Sequence, residues 1–350
     1  MKNQRSQHLH HHKLKWLVLI LVSLILIVVG YVHQRISSAS KEMMTSQAAA
    51  LPQQLKEKKP FSVLVMGTDV GALGRGTSYA GNTDTMELIT VNPQQQRTTM
   101  IAIPRDTLVR VDTKKGPDYV KINAAYAIGG AEQAKKQVAE LLDVPVDYYV
   151  LTNMGTLQKI VNAVGGVDVD NPFAFTYEGH HFKKGQQHLN GSDALKYSRM
   201  RYDDPNNDYG RQKRGQQVIE SAISSFKDHG SVSAANEIML AIQEGVRTDL
   251  PVNKITALYL NYHPAMNKTV KDHLQGKDAI IEQTSFQIAP PREISRVSKL
   301  ARRSLGLAPK GKISNYETAM YNEQTTWNGY NHLKFTLPNG AKYNCPGSGN

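Results

Sequence analysis

The chain has 350 residues, 40% of them hydrophobic, which excludes a disordered or fibrous protein and leaves room for one large or two ordinary domains. A formal charge of +12 calls for an anionic partner: nucleic acid, membrane headgroups, or a phosphorylated or acidic substrate. The single cysteine, Cys345, excludes an intramolecular disulfide framework and a multi-cysteine metal cluster.

Residues 1–15 are expected as a cytoplasmic tail. Trp16 to Val32, WLVLILVSLILIVVGYV, carries no charge and is interrupted only by Ser23. At about 1.5 Å per residue this run approaches the hydrocarbon thickness and predicts a transmembrane anchor. Lys2, Arg5, Lys13 and Lys15 precede it, with Trp16 and Tyr31 as interfacial aromatics, so the N-terminus stays cytoplasmic and the rest lies outside. A cleaved signal peptide is the alternative, with SAS at 38–40 as the cleavage site. An outside location removes nucleic acid as the partner and favours lipid headgroups and envelope phosphates.

Residues 33–59 are polar and rich in small residues, a stalk, so the folded part is expected from Pro60. Three β-like runs follow, FSVLVMG (61–67), TMELITVN (85–92) and TTMIAIP (98–104), the last two close enough for a hairpin. Helical periodicity appears at 130–143, 155–166, 214–226 and 233–246, with a strand candidate, DYYVLTN, between the first two helices. Strands mixed with helices predict the α/β class, as one domain over 60–310 with a central mixed sheet. The Asn-, Tyr- and Gly-rich stretch 311–350 is expected as an irregular extension.

If the three strands form an antiparallel meander, one sheet edge collects Asp69 after the first, Asp84 opening the second, and Arg105 with Asp106 closing the third. Open α/β sheets place ligands beyond strand ends. Separated carboxylates suit a hard divalent ion such as Mg²⁺ or Mn²⁺, completed by water and phosphate oxygens. The alternative is turn chemistry, since aspartate at a strand boundary commonly forms an Asx-turn.

The stretch SRMRYDDPNNDYGRQKRGQQ (198–217) adds a second cluster. Ser192 is the expected cap of a helix ending near Arg199, after which Arg199 and Arg201 face one side of an extended segment. In the next helix the apolar stripe of Val218, Ile219, Ala222, Ile223 and Phe226 includes the face of Arg211, while Lys213 points to solvent. An inward arginine in a first helical turn requires an anion, either Asp208 or a bound phosphate. Arginine forks and free helix N–H groups suit a pyrophosphate; an Arg/Asp network tying down the turn is the alternative.

GTD, NTDTM, IPRDT, KINAAYAIGG, VGGVDV, LNGSDALKYSRMR and DYGRQKRGQQ follow an N-terminal anchor in that order, over residues 60–230. This pattern resembles the LytR-CpsA-Psr family of bacterial cell-envelope phosphotransferases. The resemblance implies an α/β/α domain that moves an anionic glycopolymer, such as wall teichoic acid or capsular polysaccharide, from a polyprenyl-pyrophosphate carrier to peptidoglycan outside the membrane. It implies Asp69 and Asp84 at a Mg²⁺ or Mn²⁺, Arg105, Arg199, Arg201 and Arg211 on the phosphates, and Asp208 orienting the arginines. Asp84, Arg105, Arg201 and Asp208 are then the catalytic set. Two positions depart from the pattern, Gly215 and Ala124, where the family usually carries Gln and often His. Hydrolysis of polyprenyl pyrophosphate and a non-enzymatic envelope regulator are the competing functions.

Overall fold

The computed structural model describes residues 51–68, 79, 81–114, 116–200, 203–205, 214, 215, 217, 218, 221, 222, 224–226, 232–251, 255–329 and 334–343. The expected anchor and most of the stalk lie outside these residues. Among the described residues no helix is long and apolar enough to cross a membrane.

The described residues of 51–68, 79–151 and 247–343 make up one compact unit, and those of 152–246 belong to a second. After a helical turn at Gln53–Lys56 that buries Leu55, the sheet of the first begins with β1 (Phe61–Thr68), β2 (Thr83–Asn92) and β3 (Arg97–Ala102), whose apolar runs are buried on both faces of the sheet, so these are interior strands. Leu64 pairs with Leu88 and Leu88 with Ile101, the antiparallel meander read from the sequence. β4 (Leu108–Thr113) and β5 (Gly116–Lys121) form a separate ribbon. Helix α1 (Ala124–Leu142) buries Ala134, Val138, Leu141 and Leu142 along one stripe. A kink at Gly129 and Gly130, whose backbones leave helical geometry, divides it, and the part after the kink is the helix expected at 130–143. Gly130 takes φ 69, ψ −161, a region open almost only to glycine. β6 (Tyr148–Asn153) is the predicted DYYVLTN strand.

The second unit opens with α2 (Met154–Ala163), followed by β7 (Val167–Asn171), β8 (Phe175–Tyr177), β9 (His180–Phe182), β10 (Gly185–Leu189) and α3 (Gly191–Arg199). β7 pairs with β10 and β8 with β9, both antiparallel. Asn190, not the expected Ser192, caps α3: its side chain accepts from Asp193 N, and the helix already begins at Gly191. The described positions between 214 and 226 are helical, and Val218, Ala222 and Phe226 are buried, which matches the predicted stripe. Val218 and Ala222 join Val161, Phe175, Phe182 and Tyr197 in this unit's own core. α4 (Val232–Gly245) closes the unit.

β11 (Val246–Thr248) and α5 (Ile255–Tyr262) come next, then β12 (Lys268–His273), which pairs parallel with β3. The six-stranded sheet therefore runs β11-β6-β1-β2-β3-β12 and is mixed, as expected. β13 (Lys277–Ile281) and β14 (Thr284–Ile288) form a hairpin. α6 (Pro291–Ser304) opens with proline at its first position, and its Ile294, Val297 and Ala301 pack with α1 onto Leu64, Met66 and Leu88.

Residues 311–343 depart from the expected irregular extension. They carry α7 (Tyr316–Asn322), capped reciprocally by Asn315 and Thr318. Trp327, Phe335 and Leu337 are buried with Phe286 and Tyr119, so the segment completes a core rather than trailing from one. Aromatic residues spaced irregularly, three to eight positions apart, lack helical or strand periodicity, which is why burial did not show in the pattern.

Candidate active site

A tight turn ends β3. Thr107 donates from its backbone N to Pro104 O at 3.0 Å and from Oγ1 to the same carbonyl at 2.7 Å, which leaves Arg105 and Asp106 at the corner. Both corner carbonyls are fixed, Arg105 O by Asn123 N at 3.3 Å and Asp106 O by Gln287 N at 2.9 Å. Asn123 O in turn receives Thr83 N at 3.3 Å, one residue before Asp84. The main chain of Asn123 therefore holds the turns that carry Asp84 and Arg105.

The side chains meet as the sequence predicts. Arg105 Nη1 donates to Asp84 Oδ1 at 2.5 Å, with Arg105 Nε 3.7 Å from Asp106 Oδ2. Lys121 Nζ lies 2.7 Å from Asp106 Oδ1. Lys121 was not among the predicted residues; its strand register opposite Leu108, next to the turn, is the signal that would have found it. The Arg105 and Asp84 side chains are 42% and 36% exposed, and an exposed pair of this kind contributes about 0–1 kcal/mol to stability. Two cations and two carboxylates also cancel, so an anion entering here needs further positive charge.

The predicted Asp69, Arg201, Asp208 and Arg211 lie outside the described residues. Arg199 closes α3, 9% exposed, and donates from Nη1 to Glu178 Oε1 at 3.0 Å. The clearest use of an arginine in that stretch is one the sequence did not single out. Arg214 is buried and bonds through Nη1 to Asp204 Oδ2, through Nε to Tyr197 O at 2.9 Å, and through Nη2 to Met200 O. Its guanidinium also lies 5.3 Å from the Phe175 ring centre. Every edge of this fork is committed within the protein, so for Arg214 and Asp204 the Arg/Asp network is the arrangement found. Burial in the same place pushes the Tyr197 phenol up to about 12. Of the two departures from the family pattern, Ala124 is buried at the first position of α1 and Gly215 is buried beside Arg214.

Among the described residues no group of three or more His, Cys, Asp or Glu could hold a metal unaided. A half-exposed carboxylate with one oxygen engaged by a guanidinium still fits Mg²⁺ or Mn²⁺, because Asp84 has lone pairs beyond the one Arg105 uses. Such ions commonly take one or two carboxylates and draw their other ligands from water and phosphate.

A model of the LytR_cpsA_psr family matches residues 28–303. A relative from Enterococcus faecalis, named polyisoprenyl-teichoic acid–peptidoglycan teichoic acid transferase TagU, is 40% identical over 251 residues, covering 72% of this chain and 82% of the relative. The crystal structure of gbs0355 from Streptococcus agalactiae superposes with a TM-score of 0.65 at 33% identity, covering 79% of this chain and 99% of the other. A structure described as TagT bound to LI-WTA has a TM-score of 0.53 at 25% identity, covering 72% and 92%.

Proposed function

The chain belongs to the LytR-CpsA-Psr family and is a glycopolymer transferase of its kind; on that premise we propose the donor, the acceptor and the residues that act on them. The donor is a phosphoglycan on a polyprenyl-pyrophosphate carrier, teichoic acid being the polymer in the TagU name, with capsular or another anionic glycopolymer as the alternative. The acceptor is a peptidoglycan sugar hydroxyl. The enzyme works on the outer side of the cell membrane, held by the segment 16–32.

The observation that supports this reading is the Asp84–Arg105 pair at a sheet edge, positioned by fixed backbone and too exposed to be a stability device. In the reaction the sugar hydroxyl attacks the glycan-proximal phosphorus. The new O–P bond forms as the bond to the bridging oxygen breaks, and polyprenyl phosphate leaves with the electron pair. A carboxylate of the site receives the hydroxyl proton. Arg105 meets the developing charge with a planar pair of donors. Asp84 and Asp69 would hold Mg²⁺ or Mn²⁺, which when bound supplies charge neutralisation at the pyrophosphate. Arg199, Arg201 and Arg211 keep the role of phosphate ligands and Asp208 that of orienting them, as the family resemblance implies.

Full-length protein purified in detergent tests the donor assignment by mass spectrometry of its bound lipid. The wild type is expected to carry a polyprenyl pyrophosphate species and Arg105→Ala to lose it. Equal lipid in both would remove Arg105 from the phosphate site.

A further inference from the structure

The chain enters the six-stranded sheet at a basic edge. Residues 51–59, expected as the end of the stalk, are packed onto the domain: Leu51 and Leu55 are buried, Asn261 Nδ2 donates to Leu55 O at 3.1 Å, and Tyr262 Oη donates to Lys59 O at 2.8 Å. β1 starts, β2 ends, and β3 and β12 start at this edge, because β1–β2 and β2–β3 are antiparallel and β3–β12 is parallel. The loop from β2 to β3 ties the edge together. Gln94 Nε2 donates to Lys58 O at 2.9 Å, Gln95 Nε2 to Arg303 O at 3.0 Å near the end of α6, and Asn267 Nδ2 to Gln96 Oε1 at 3.0 Å just before β12.

Lys56, Lys58, Lys59, Lys268 and Arg303 are exposed along these bonds, and Arg97 sits opposite Lys268 in the strand register. Two carboxylates adjoin them, Glu57 paired with Lys59 and Asp147 held by Ser62 N at 2.8 Å. Among the described residues no ion pair engages Lys56, Lys58, Lys268 or Arg303, so the edge keeps an excess of positive charge. Leu260, in the last turn of α5, and Leu307, just past α6, are 38% and 37% exposed beside it. A soluble polyanion calls for cations alone. Leucine set among lysine and arginine suits a bilayer interface, where apolar side chains reach the acyl boundary and cations meet headgroup phosphates. Asp84 and Arg105 lie toward the far ends of β2 and β3, about 30 Å away at about 3.3 Å per residue.

We propose that this edge docks on the anionic phospholipid headgroups of the membrane that anchors the chain, leaving the Asp84–Arg105 edge free for the acceptor. The inference rests on the anchor proposed at 16–32, which ends fewer than twenty residues before Leu51.

Full-length protein carrying Asn267→Cys and Cys345→Ser takes a fluorophore on this edge. It is reconstituted into vesicles of phosphatidylcholine, alone or with phosphatidylglycerol, that contain a lipid with a quenching nitroxide on its headgroup. Quenching is expected in the anionic vesicles only, and to fall in about 1 M salt, where the Debye length is about 3 Å. Lys58→Gln and Lys268→Gln are each expected to lower the docked-to-free ratio about fivefold. Equal quenching in the two lipids, or quenching unchanged in both variants, would overturn the proposal. Absence of quenching in either lipid, with the label shielded by a soluble anionic glycopolymer, would assign the edge to the polymer instead. Flotation with the neutral vesicles reports the anchor alone. If the chain does not float with them the anchor reading fails, and flotation with the anionic vesicles then decides the docking by itself: flotation supports it and its absence overturns it.

Discussion

Arg105 and Arg214 are the same residue type put to opposite uses, and burial separates them. Arg105 is 42% exposed on a turn and shares one carboxylate oxygen; Arg214 is 3% exposed and spends its fork on Asp204, Tyr197 O and Met200 O. Removing one partner of a buried pair leaves an uncompensated charge, so Arg214→Ala is expected to cost about 3–5 kcal/mol in denaturant unfolding. Arg214→Lys should recover little of it, because an ammonium cannot reproduce three bonds in a fixed plane. A loss below about 1 kcal/mol would contradict the buried network. Asp84 and Arg105 were legible in the sequence because continuous apolar runs fix where strands end, and the meander then fixes which ends meet. Arg214 was not legible, since two of its three partners are backbone carbonyls whose positions depend on how α3 terminates.

At the scale of elements, the β7–β10 pair contains a pH-sensitive contact. His188 on β10 places Nδ1 2.8 Å from Asp168 Oδ1 and Nε2 3.0 Å from Gly165 O, so both ring nitrogens face acceptors. Only the imidazolium donates from both. The bond to Asp168 is the main cause holding the His188 pKa above its ordinary 6.5, against partial desolvation. A folded-state pKa above the unfolded value gives stability that is complete below the unfolded pKa and is lost as pH rises through the folded one. The melting-temperature difference between wild type and His188→Ala is therefore expected to be small and positive in acid and to shrink above the unfolded pKa of about 6.5. A difference independent of pH would show that the imidazolium form contributes nothing. Strong signals carried the sequence reading of elements: β1, β2, β3 and β6 were legible from apolar runs, and α2 from its period. β12, KTVKDH, was not, because a half-exposed edge strand paired on one side needs no apolar alternation. α6 does carry proline at its start and a 294, 297, 301 stripe, a legible helix that charged residues on its outer face obscured.

For the whole molecule, composition and strand order predicted a single α/β domain with a mixed sheet, and the mixed sheet is present. The division into two units was not legible. The chain leaves the sheet after β6, folds residues 152–246 around a core of their own, and returns through β11 with no glycine- or proline-rich linker to mark either crossing. Nor did composition reveal that Trp327 and Phe335 belong to a core. The positive charge of the chain and the Asp84–Arg105 edge agree with an anionic donor, and transfer differs from hydrolysis in one respect that can be measured directly. Purified full-length enzyme is supplied with a polyprenyl-pyrophosphate-linked glycopolymer, and release of polyprenyl phosphate is followed with and without peptidoglycan. Release is expected only when the acceptor is present, matched by polymer bound to peptidoglycan and lost in Arg105→Ala by about 10²–10³-fold. Equal release without acceptor, with no polymer joined to peptidoglycan, would contradict it.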